Sequence, residues 1–333
     1  MDYSLARRRR SVDENSDGTI VITGPLIGDQ QVRFPDNYEV IYSDKKVMDQ
    51  EEFNDIVRDA CAAIVMTNLR VDKELIDSAP KLKILSNFGV GYDNIDVKYA
   101  REKQVMVTNT PDVLTLSCAE LGVALVMMTA RKVVEGCQLI ESGGFKGWEV
   151  DLLLGTELRG KTFGILGCGR IGQAMARIVS GFGMEMIYHN RRKLKSGIEV
   201  QLGIRYVDFQ SLITDSDILV ITCPLNDQNR HSFNFETFEL MKKSSILVNV
   251  GRGGIIKESD LVLALREDLI GGVGLDVFEN PANIPVELRL DPRVTLTPHI
   301  GSATREAREA MSALSVQAVL DVISGLKPQY MLK

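Results

Sequence analysis

Short apolar runs alternate with amphipathic stretches over residues 19–109. Runs rich in β-branched residues predict strands at 20–23, 39–42, 62–67, 82–87 and 105–108. The stretches between them, at 50–59, 72–78 and 96–103, repeat their apolar positions with helical spacing. Strands that alternate with helices in this way predict a parallel sheet with helices on both faces.

A second series of the same kind follows a long apolar segment. We predict a helix over 111–141, because Pro111 suits a first helical turn and the pair Gly143-Gly144 ends the pattern. Later strands are expected at 162–166, 185–189, 218–223, 245–250, 272–275 and 295–297, with a last helix at 304–324. The chain is therefore predicted to be an α/β protein, and its 333 residues suffice for two domains.

Composition argues against several classes of protein. A net charge of −6 and a pI near 5.3 disfavour a general nucleic-acid binder. The most apolar stretch, 113–130, contains Glu120 and is too short for a membrane span. The cysteines are odd in number and no close pair has metal-ligand spacing, so we predict reduced thiols, no metal site and a cytoplasmic location. These residues are Cys61, Cys118, Cys137, Cys168 and Cys223.

The strongest local signal is a glycine pattern directly after a predicted strand. Gly167 allows a tight turn, Gly169 lets the backbone approach a pyrophosphate, and Gly172 permits close packing of helix on strand. Arg170 and Ile171 begin the helix, whose N-terminus attracts an anion. In this context we predict a dinucleotide site formed by these five residues. The alternative is that the glycines serve only a tight turn.

The next predicted strand ends in Asn190, Arg191, Arg192 and Lys193. Sites specific for NAD usually place an acidic residue here to bind the ribose hydroxyls. This chain offers three cations instead, and arginine binds a phosphate with paired donors. We therefore predict that Asn190, Arg191 and Arg192 contact the cofactor and that NADP(H) is preferred, with NAD(H) possible. The alternative is a solvated basic loop.

Several phrases, in order along the chain, resemble the D-isomer-specific 2-hydroxyacid dehydrogenases. They cover residues 87–96, 167–172, 223–225, 249–254, 274–278 and 297–301. The resemblance runs from about residue 20 to the end, and within the family the chain is most similar to glyoxylate/hydroxypyruvate reductases. It implies hydride transfer between a nicotinamide cofactor and a small 2-keto acid. It also implies that Cys223, Pro224 and Val250 contact the cofactor.

Reduction of a 2-keto acid requires an anion site, a cation that polarises the ketone and an acid that protonates its oxygen. Arg252 follows an apolar strand, and its planar fork matches an α-keto carboxylate, so we predict that it binds substrate and takes part in catalysis. The alternative is a surface arginine in a glycine-rich loop. By resemblance, Val90 and Gly91 donate backbone N–H groups to the carboxylate; the alternative is a purely structural turn.

The chain has three histidines, of which His299 matches the acid–base histidine of the family. An imidazole suits this role because its pKa lies near neutrality. We interpret His189, at the end of a predicted strand, as a cofactor neighbour or a structural residue. His231 lies in a polar segment, and a surface role is expected for it.

The chain departs from the family where a glutamate normally pairs with the catalytic histidine. That position, five beyond Asp276, is Pro281. We hypothesise that Glu279 replaces it as the partner of His299; otherwise His299 lacks a carboxylate and has a lower pKa. By resemblance, Asp276 contacts the nicotinamide carboxamide; the alternative is that it caps its strand.

The resemblance also implies how the chain is divided. It predicts two Rossmann-like domains with an active-site cleft between them: a flavodoxin-like substrate domain (19–110 plus 300–333) and a dinucleotide-binding domain (111–299). Residues 1–18, with four consecutive arginines, are interpreted as a disordered extension, or else as a targeting or phosphate-binding arm. A homodimer is expected, with the helix at 111–141 in its interface, and neither a nucleic acid nor a membrane is expected as a partner.

The predicted function is NAD(P)H-dependent reduction of glyoxylate, hydroxypyruvate or a similar 2-keto acid to the D-2-hydroxy acid. One alternative is a dehydrogenase for a bulkier 2-keto acid or for phosphoglycerate. Another, of a different class, is a dinucleotide-binding sensor or scaffold. The presence of both Arg252 and His299 favours an enzyme.

Overall fold

The computed structural model describes residues 7–10, 16–28, 33–43 and 46–333, and for 7–10 it describes the backbone. By their internal contacts these residues form two units. The first holds the described residues up to Leu114 together with Ala303–Lys333, and the second is Thr115–Ser302. The boundaries predicted from the sequence lie within a few residues of this division.

The first unit contains a six-stranded sheet. Its strands are β1 (Arg7–Arg10), β2 (Gly18–Ile22), β3 (Tyr38–Ser43), β4 (Ala60–Met66), β5 (Ile84–Phe88) and β6 (Met106–Thr108). They are arranged in the order β1-β3-β2-β4-β5-β6. β1 pairs antiparallel with β3, and the other neighbours are parallel. The parallel part agrees with the predicted alternation of strands and helices.

Strand β1 differs from the disordered extension expected over 1–18. The backbone of Arg7–Arg10 pairs with Val40–Ser43 along the edge of β3. A sheet edge offers unpaired N–H and C=O groups that a neighbouring segment can bind whatever its side chains are. Gly18 already belongs to β2. Residues 1–6 and 11–15 of the predicted extension lie outside the described residues.

Four helices belong to the first unit: α1 (Gln50–Ile56), α2 (Lys73–Ser78), α3 (Val97–Glu102) and α12 (Arg305–Ile323). Each begins at a side-chain cap, supplied in turn by Asp49, Asp72, Asp96 and Thr304. α12 packs against β4 and β5. The Ile27 N–H donates to Ser312 Oγ (3.0 Å), and the Leu332 N–H donates to the Val107 carbonyl (2.8 Å). The end of the chain therefore returns to the first unit.

The second unit contains a seven-stranded sheet in which all neighbours are parallel. Its strands are β7 (Thr162–Leu166), β8 (Glu185–His189), β9 (Ile204–Tyr206), β10 (Ile218–Ile221), β11 (Ile246–Asn249), β12 (Gly272–Leu275) and β13 (Val294–Leu296). Their order is β13-β12-β11-β10-β7-β8-β9. The sequence predicted all of them except β9, a short strand with one exposed arginine.

Helices cover both faces of this sheet. They are α4 (Thr115–Ala130), α5 (Val133–Glu141), α6 (Arg170–Val179), α7 (Ser196–Leu202), α8 (Phe209–Asp215), α9 (Phe235–Leu240), α10 (Glu258–Arg266) and α11 (Val286–Leu290). Along β10, Ile218 and Val220 pack on the side of α4 and α6, whereas Leu219 and Ile221 pack on the side of α8 to α10. Burial on both faces explains why the strands read as continuous apolar runs. Within the described ranges, no helix is both long and apolar enough to cross a bilayer.

The helix predicted over 111–141 is in fact two helices, α4 and α5. Lys132 between them has a left-handed backbone with φ 51°. The carbonyl of Ala130 accepts the N–H of Thr156 (2.7 Å), a residue distant in sequence. At the other end, Asp112 has φ 71°, and the first helix begins at Thr115. The break depends on a tertiary contact, which explains why the local pattern did not predict it.

Candidate active site

The predicted site residues of the second unit lie at one edge of its sheet. In a parallel sheet the carboxyl ends of the strands face the same side, where ligands bind. From β13 to β8 across the sheet, these ends are followed by His299, Asp276, Arg252, Cys223, Gly167 and Asn190. Neighbouring strands lie about 4.8 Å apart. The strands that precede His299 and Arg252 have one strand between them, so their backbones are about 10 Å apart.

The glycine loop between β7 and α6 has little room for side chains. Gly167 has φ 96°, and a Cβ there would lie 2.5 Å from the Cβ of Cys223. A Cβ at Gly172 would lie 2.9 Å from the Gly167 carbonyl oxygen. At Gly169 the nearest atom would be 3.9 Å away, which leaves open space beside the backbone. Gly167 thus forms the tight turn, Gly169 leaves the backbone open to a ligand, and Gly172 allows α6 to pack closely.

The N-terminus of α6 suits an anion. Neither Ile171 nor Gly172 donates its backbone N–H to another residue of the described ranges. Such first-turn donors, together with the positive end of the helix dipole, favour a phosphate. A cavity of about 830 Å³ adjoins the loop and is lined by residues that include Gly167, Gly169, His189, Asn190, Arg191, Arg192, Cys223 and Pro224. This end of the sheet therefore fits a dinucleotide, and Arg170 is exposed at the start of α6.

The segment after β8 divides its residues between two roles. Asn190 Oδ1 accepts the Cys168 N–H (2.7 Å), so this amide fixes the glycine loop. The Lys193 ammonium lies 4.6 Å from the centre of the Tyr206 ring. Arg191 and Arg192 are exposed, line the cavity and form no ion pair with the part of the chain that the structure describes. The two guanidinium groups therefore remain available to an anionic group of a ligand.

Cys223 and the loop after it form the wall next to β10. Burial raises the pKa of the Cys223 thiol to about 11, so this thiol is neutral near pH 7. Asn229 Nδ2 donates to Cys223 Sγ (3.5 Å) and to the carbonyl of Pro224 (2.8 Å). Sequence reasoning missed Asn229, because nothing local marks a polar loop residue that folds back six positions. All five cysteines are free, and Cys137 is exposed.

The loop that carries Arg252 is shaped by a buried asparagine. Asn249 Oδ1 accepts the Gly251 N–H (3.0 Å), and its Nδ2 donates to the Arg252 carbonyl (3.0 Å). The half-buried Arg252 side chain donates from Nη1 to the Gly251 carbonyl (3.0 Å). Just before it, the Val250 N–H donates to the carbonyl of Ile221 on β10. The position of Arg252 is thus set by contacts on both sides of it.

Glycines hold this loop between two other segments. A Cβ at Gly251 would lie 2.7 Å from the Cys223 carbonyl oxygen. A Cβ at Gly253 would lie 1.9 Å from the carbonyl carbon of Phe278. Arg252 therefore lies between the wall of the dinucleotide cavity and the segment that contains Glu279.

His299 has a left-handed backbone (φ 56°) and an exposed side chain. Asp276 holds the turn around it: Oδ1 accepts the Thr297 hydroxyl (2.7 Å) and the Ile300 N–H (2.8 Å), and Oδ2 accepts the Gly301 N–H (2.8 Å). Asp276 is 1% exposed. Asp276 therefore holds this turn, and its contact with the carboxamide stays a prediction.

The structure pairs Glu279 with a different histidine from the one hypothesised, and a role for it beside His299 stays a prediction. Glu279 Oε1 lies 2.5 Å from Nε2 of His231, and Oε2 accepts the Glu258 N–H (3.3 Å). The Glu279 N–H in turn donates to Glu258 Oε1 (2.6 Å). The His231 N–H donates to the carbonyl of Gly254, so the loop of Arg252 brings the two side chains together. His231 is half-buried, and its contact with Glu279 was not predicted from the sequence.

His189 has a structural contact. Its Nδ1 lies 3.0 Å from the Val207 carbonyl oxygen, and its ring packs against Tyr206 and Phe209. It also lines the cavity. Both interpretations offered for it from the sequence therefore remain compatible with its position.

In the first unit, Val90 and Gly91 lie in the turn directly after β5. Neither donates its backbone N–H to another residue within the described ranges. Asn87 holds this turn by donating from Nδ2 to the carbonyls of Gly89 (3.2 Å) and Gly91 (2.8 Å). Unpaired N–H groups at the carboxyl end of a strand form a suitable site for an anion.

Comparison with known proteins identifies the family. The sequence profile described as "D-isomer specific 2-hydroxyacid dehydrogenase, NAD binding domain" matches residues 123–301. A Staphylococcus aureus protein named as a 2-hydroxyacid dehydrogenase is 41% identical over 298 residues, which cover 89% of this chain and 93% of that protein. A glyoxylate reductase from Thermococcus litoralis is 41% identical over 296 residues, covering 87% and 89% of the two chains.

Solved structures agree with this result. The NADPH-dependent glyoxylate/hydroxypyruvate reductase of Sinorhizobium meliloti, in complex with NADP and malonate, superimposes with a TM-score of 0.84 and 32% identity. The match covers 95% of this chain and 97% of that one. The chain therefore belongs to the D-isomer-specific 2-hydroxyacid dehydrogenases, a family of NAD(P)-dependent oxidoreductases.

Proposed function

We propose that the protein reduces a small 2-keto acid of the glyoxylate or hydroxypyruvate type to the D-2-hydroxy acid, with NADPH as the preferred reductant. The observation that carries this proposal is the placement of Arg252 and His299 on one sheet edge, beside the glycine loop. The relatives named as glyoxylate reductases support the choice of substrate.

The chain's own residues divide the remaining work. The nicotinamide, when bound, supplies the hydride. Arg252 binds the α-keto carboxylate and polarises the ketone, because its guanidinium offers paired donors and a fixed positive charge. His299 as an imidazolium gives a proton to the ketone oxygen, and in the reverse direction the neutral ring takes this proton back. Val90 and Gly91 donate their N–H groups to the carboxylate.

The preference for NADPH rests on the segment after β8. Arg191 and Arg192 are exposed at the cavity, and no carboxylate occupies this turn. Arg191→Ala and Arg192→Ala should each raise KM for NADPH about tenfold, because each variant loses one charged hydrogen bond. Both should leave KM for NADH nearly unchanged. Lys193→Ala is the matched control, because its ammonium is engaged with Tyr206. Equal kcat/KM for the two cofactors in the unmodified protein would refute the preference.

The activity itself is tested by following oxidation of NADPH and NADH with glyoxylate, hydroxypyruvate and phenylpyruvate. We expect the highest kcat/KM with one of the two small keto acids. A preference for phenylpyruvate would indicate a dehydrogenase for bulkier substrates. Cofactor binding without turnover of any of the three would indicate a sensor or scaffold instead of an enzyme.

We also infer a homodimer. No residue of α5 is buried, and apolar side chains are exposed along 116–154. Trp148 is 84% exposed, which excludes core packing for it within its unit. A large apolar surface of this kind is typical of an interface, and a second copy is the partner that the family resemblance implies. Sedimentation of the wild type should show a dimer, and Ile140→Glu with Trp148→Glu should shift it towards the monomer. A monomeric wild type would contradict the inference.

A further inference from the structure

The turn after β5 has its carbonyl groups tied down one after another. Asn87 Nδ2 donates to the carbonyls of Gly89 and Gly91, and Asn109 Nδ2 donates to the carbonyl of Val90 between them (2.8 Å). The Gly89 carbonyl also accepts the N–H of Thr110 (3.1 Å). Three successive carbonyls are thus bound by two side-chain amides and one backbone amide, all within the first unit.

This arrangement decides which way the N–H groups point. The peptide bonds of the turn are trans, and in a trans peptide the N–H points opposite to the carbonyl of the same plane. The N–H groups of Val90, Gly91 and Tyr92 therefore point away from the asparagines. None of the three donates to a residue in the described part of the chain. Three adjacent unpaired donors form an anion site of backbone groups.

The orientation of the Asn87 amide is fixed by its surroundings. The residue is fully buried, and its Oδ1 has no hydrogen-bond partner among the described residues. A flipped amide would place this oxygen against two carbonyl oxygens and leave both N–H donors unpaired, which is worse. An unpaired buried acceptor destabilises a fold. The presence of a buried asparagine at position 87 is therefore better explained by the two hydrogen bonds that its Nδ2 donates to the turn than by a contribution to stability.

We propose that Asn87 and Asn109 are positioning residues, which hold the Gly89–Gly91 turn so that its N–H groups face the substrate carboxylate. They act through the backbone and do not touch the substrate. This inference rests on the proposed function, since it takes a small carboxylate as the ligand. It can be tested independently of enzymatic activity, because binding of a carboxylate can be measured without turnover.

The test uses oxalate, a small dianion without a reducible ketone. Its Kd is measured by calorimetry on the full chain in the presence of NADPH, together with kcat and KM for the best keto acid. The variants are Asn109→Ala, Asn109→Asp and Asn87→Asp. Asn109 is only half-buried, so its variants keep the proposal testable if Asn87→Asp does not fold. Asn94→Ala is the matched control, because Asn94 Nδ2 donates to the Leu69 carbonyl (3.0 Å) away from the turn.

We expect Asn109→Ala to raise Kd for oxalate and KM for the keto acid about tenfold, equivalent to ~1.4 kcal/mol. Both Asp variants should be worse, because a carboxylate would repel the carbonyls that the amide held. The Kd for NADPH should stay the same and kcat should fall less than KM rises. Asn94→Ala should bind oxalate like the wild type.

Three results would overturn the proposal: no oxalate binding by the wild type, unchanged Kd and KM in both Asn109 variants, or an equal loss in Asn94→Ala. If the wild type binds oxalate but reduces no keto acid, the proposed function fails. The comparison of oxalate affinities then still decides the role of the asparagines.

Discussion

Two glycine-containing turns in this molecule follow parallel strands, and an asparagine side chain holds each of them. One asparagine accepts a hydrogen bond from the backbone, and the other donates hydrogen bonds to it. In the loop after β7, Asn190 Oδ1 accepts the N–H of Cys168. In the turn after β5, Asn87 Nδ2 donates to two carbonyls. The first contact withdraws an N–H group from the ligand side, and the donors that remain are those of the α6 N-terminus. The second withdraws carbonyls and leaves N–H groups facing outward.

The comparison shows that the same side chain can prepare an anion site in two ways. In the turn after β5 the amide occupies carbonyls, so the opposite N–H groups of those peptide planes are left for a ligand. In the loop after β7 the side chain fixes one N–H group, and the donors for an anion are those of the α6 N-terminus. Glycine serves different purposes in the two turns as well. Gly167 requires a left-handed backbone, whereas Gly89 is restricted by contact, since a Cβ there would lie 2.6 Å from Thr67 Cγ2.

The largest effect should come from the glycine loop. Gly167→Ala combines a left-handed backbone with a close contact to Cys223, so we expect unfolding to become easier by about 3 kcal/mol. Gly169→Ala, with φ −83° and open space, should cost less than about 1 kcal/mol but should weaken binding of NADPH. Thermal melts and cofactor titration check both. Equal melting temperatures for the two variants would contradict the assignment of strain to Gly167.

Substitutions of Asn190 distinguish the role of its side-chain oxygen from that of its side-chain nitrogen. Asn190→Asp keeps the acceptor for the Cys168 N–H and adds a carboxylate where NAD-binding sites have one. We expect the ratio of kcat/KM for NADH to that for NADPH to rise about tenfold, and stability to stay near that of the wild type. Asn190→Ala is the control and should lose about 1 kcal/mol of stability. If the Asp and Ala variants behave alike, the oxygen of Asn190 does not hold the loop.

Unlike the two glycine turns, the segment with Glu279 is held by ionisable side chains instead of asparagine amides. Glu279→Gln should lose about 0.5–1 kcal/mol of stability, because its pair with His231 is partly exposed. The pH profile of kcat/KM should not move, since the carboxylate is engaged by His231. His231→Gln should cost a similar amount, and the double variant should cost less than the sum. A shifted pH profile in Glu279→Gln would support the hypothesis that it assists catalysis.

Glu258 gives the smallest effect, and it depends on pH. Burial raises the pKa of Glu258, the neighbouring Glu279 carboxylate raises it further, and the Glu279 N–H opposes this. A carboxyl whose pKa is raised on folding favours the fold in acid and loses that contribution as pH rises through the folded pKa. Glu258→Gln should therefore be relatively more stable near pH 8 than near pH 4. Melting temperatures at the two pH values check this, and a constant difference would contradict it.

Much of the fold followed from local patterns. The central strands of the two sheets, such as β4 and β10, are continuous apolar runs, and Asp72 and Thr304 begin helices as capping residues usually do. The features that the sequence did not predict depend on contacts between segments that are distant in the chain. The break after Ala130 needs the Thr156 N–H, and the pairing of β1 needs the edge of β3. Neither partner can be inferred from the segment itself.

The candidate site shows the same division. The glycine loop and Arg252 could be placed at strand ends from the sequence, because motif and strand adjoin each other. The partner of Glu279 could not, since His231 is 48 positions away. Asn109 was also missed, because its contact with Val90 spans 19 positions between two strands. Side chains that act on the backbone of another segment carry no signal in a single sequence.

We propose that Arg252 and His299 act together on one keto acid beside the bound cofactor. The most direct test compares the wild type with His299→Ala and Arg252→Lys, using glyoxylate and hydroxypyruvate and following the absorbance of NADPH. We predict that His299→Ala lowers kcat about 10²–10⁴-fold and that Arg252→Lys lowers kcat/KM at least about tenfold, with the Kd for NADPH unchanged in both. Wild-type turnover that survives in either variant would contradict the account.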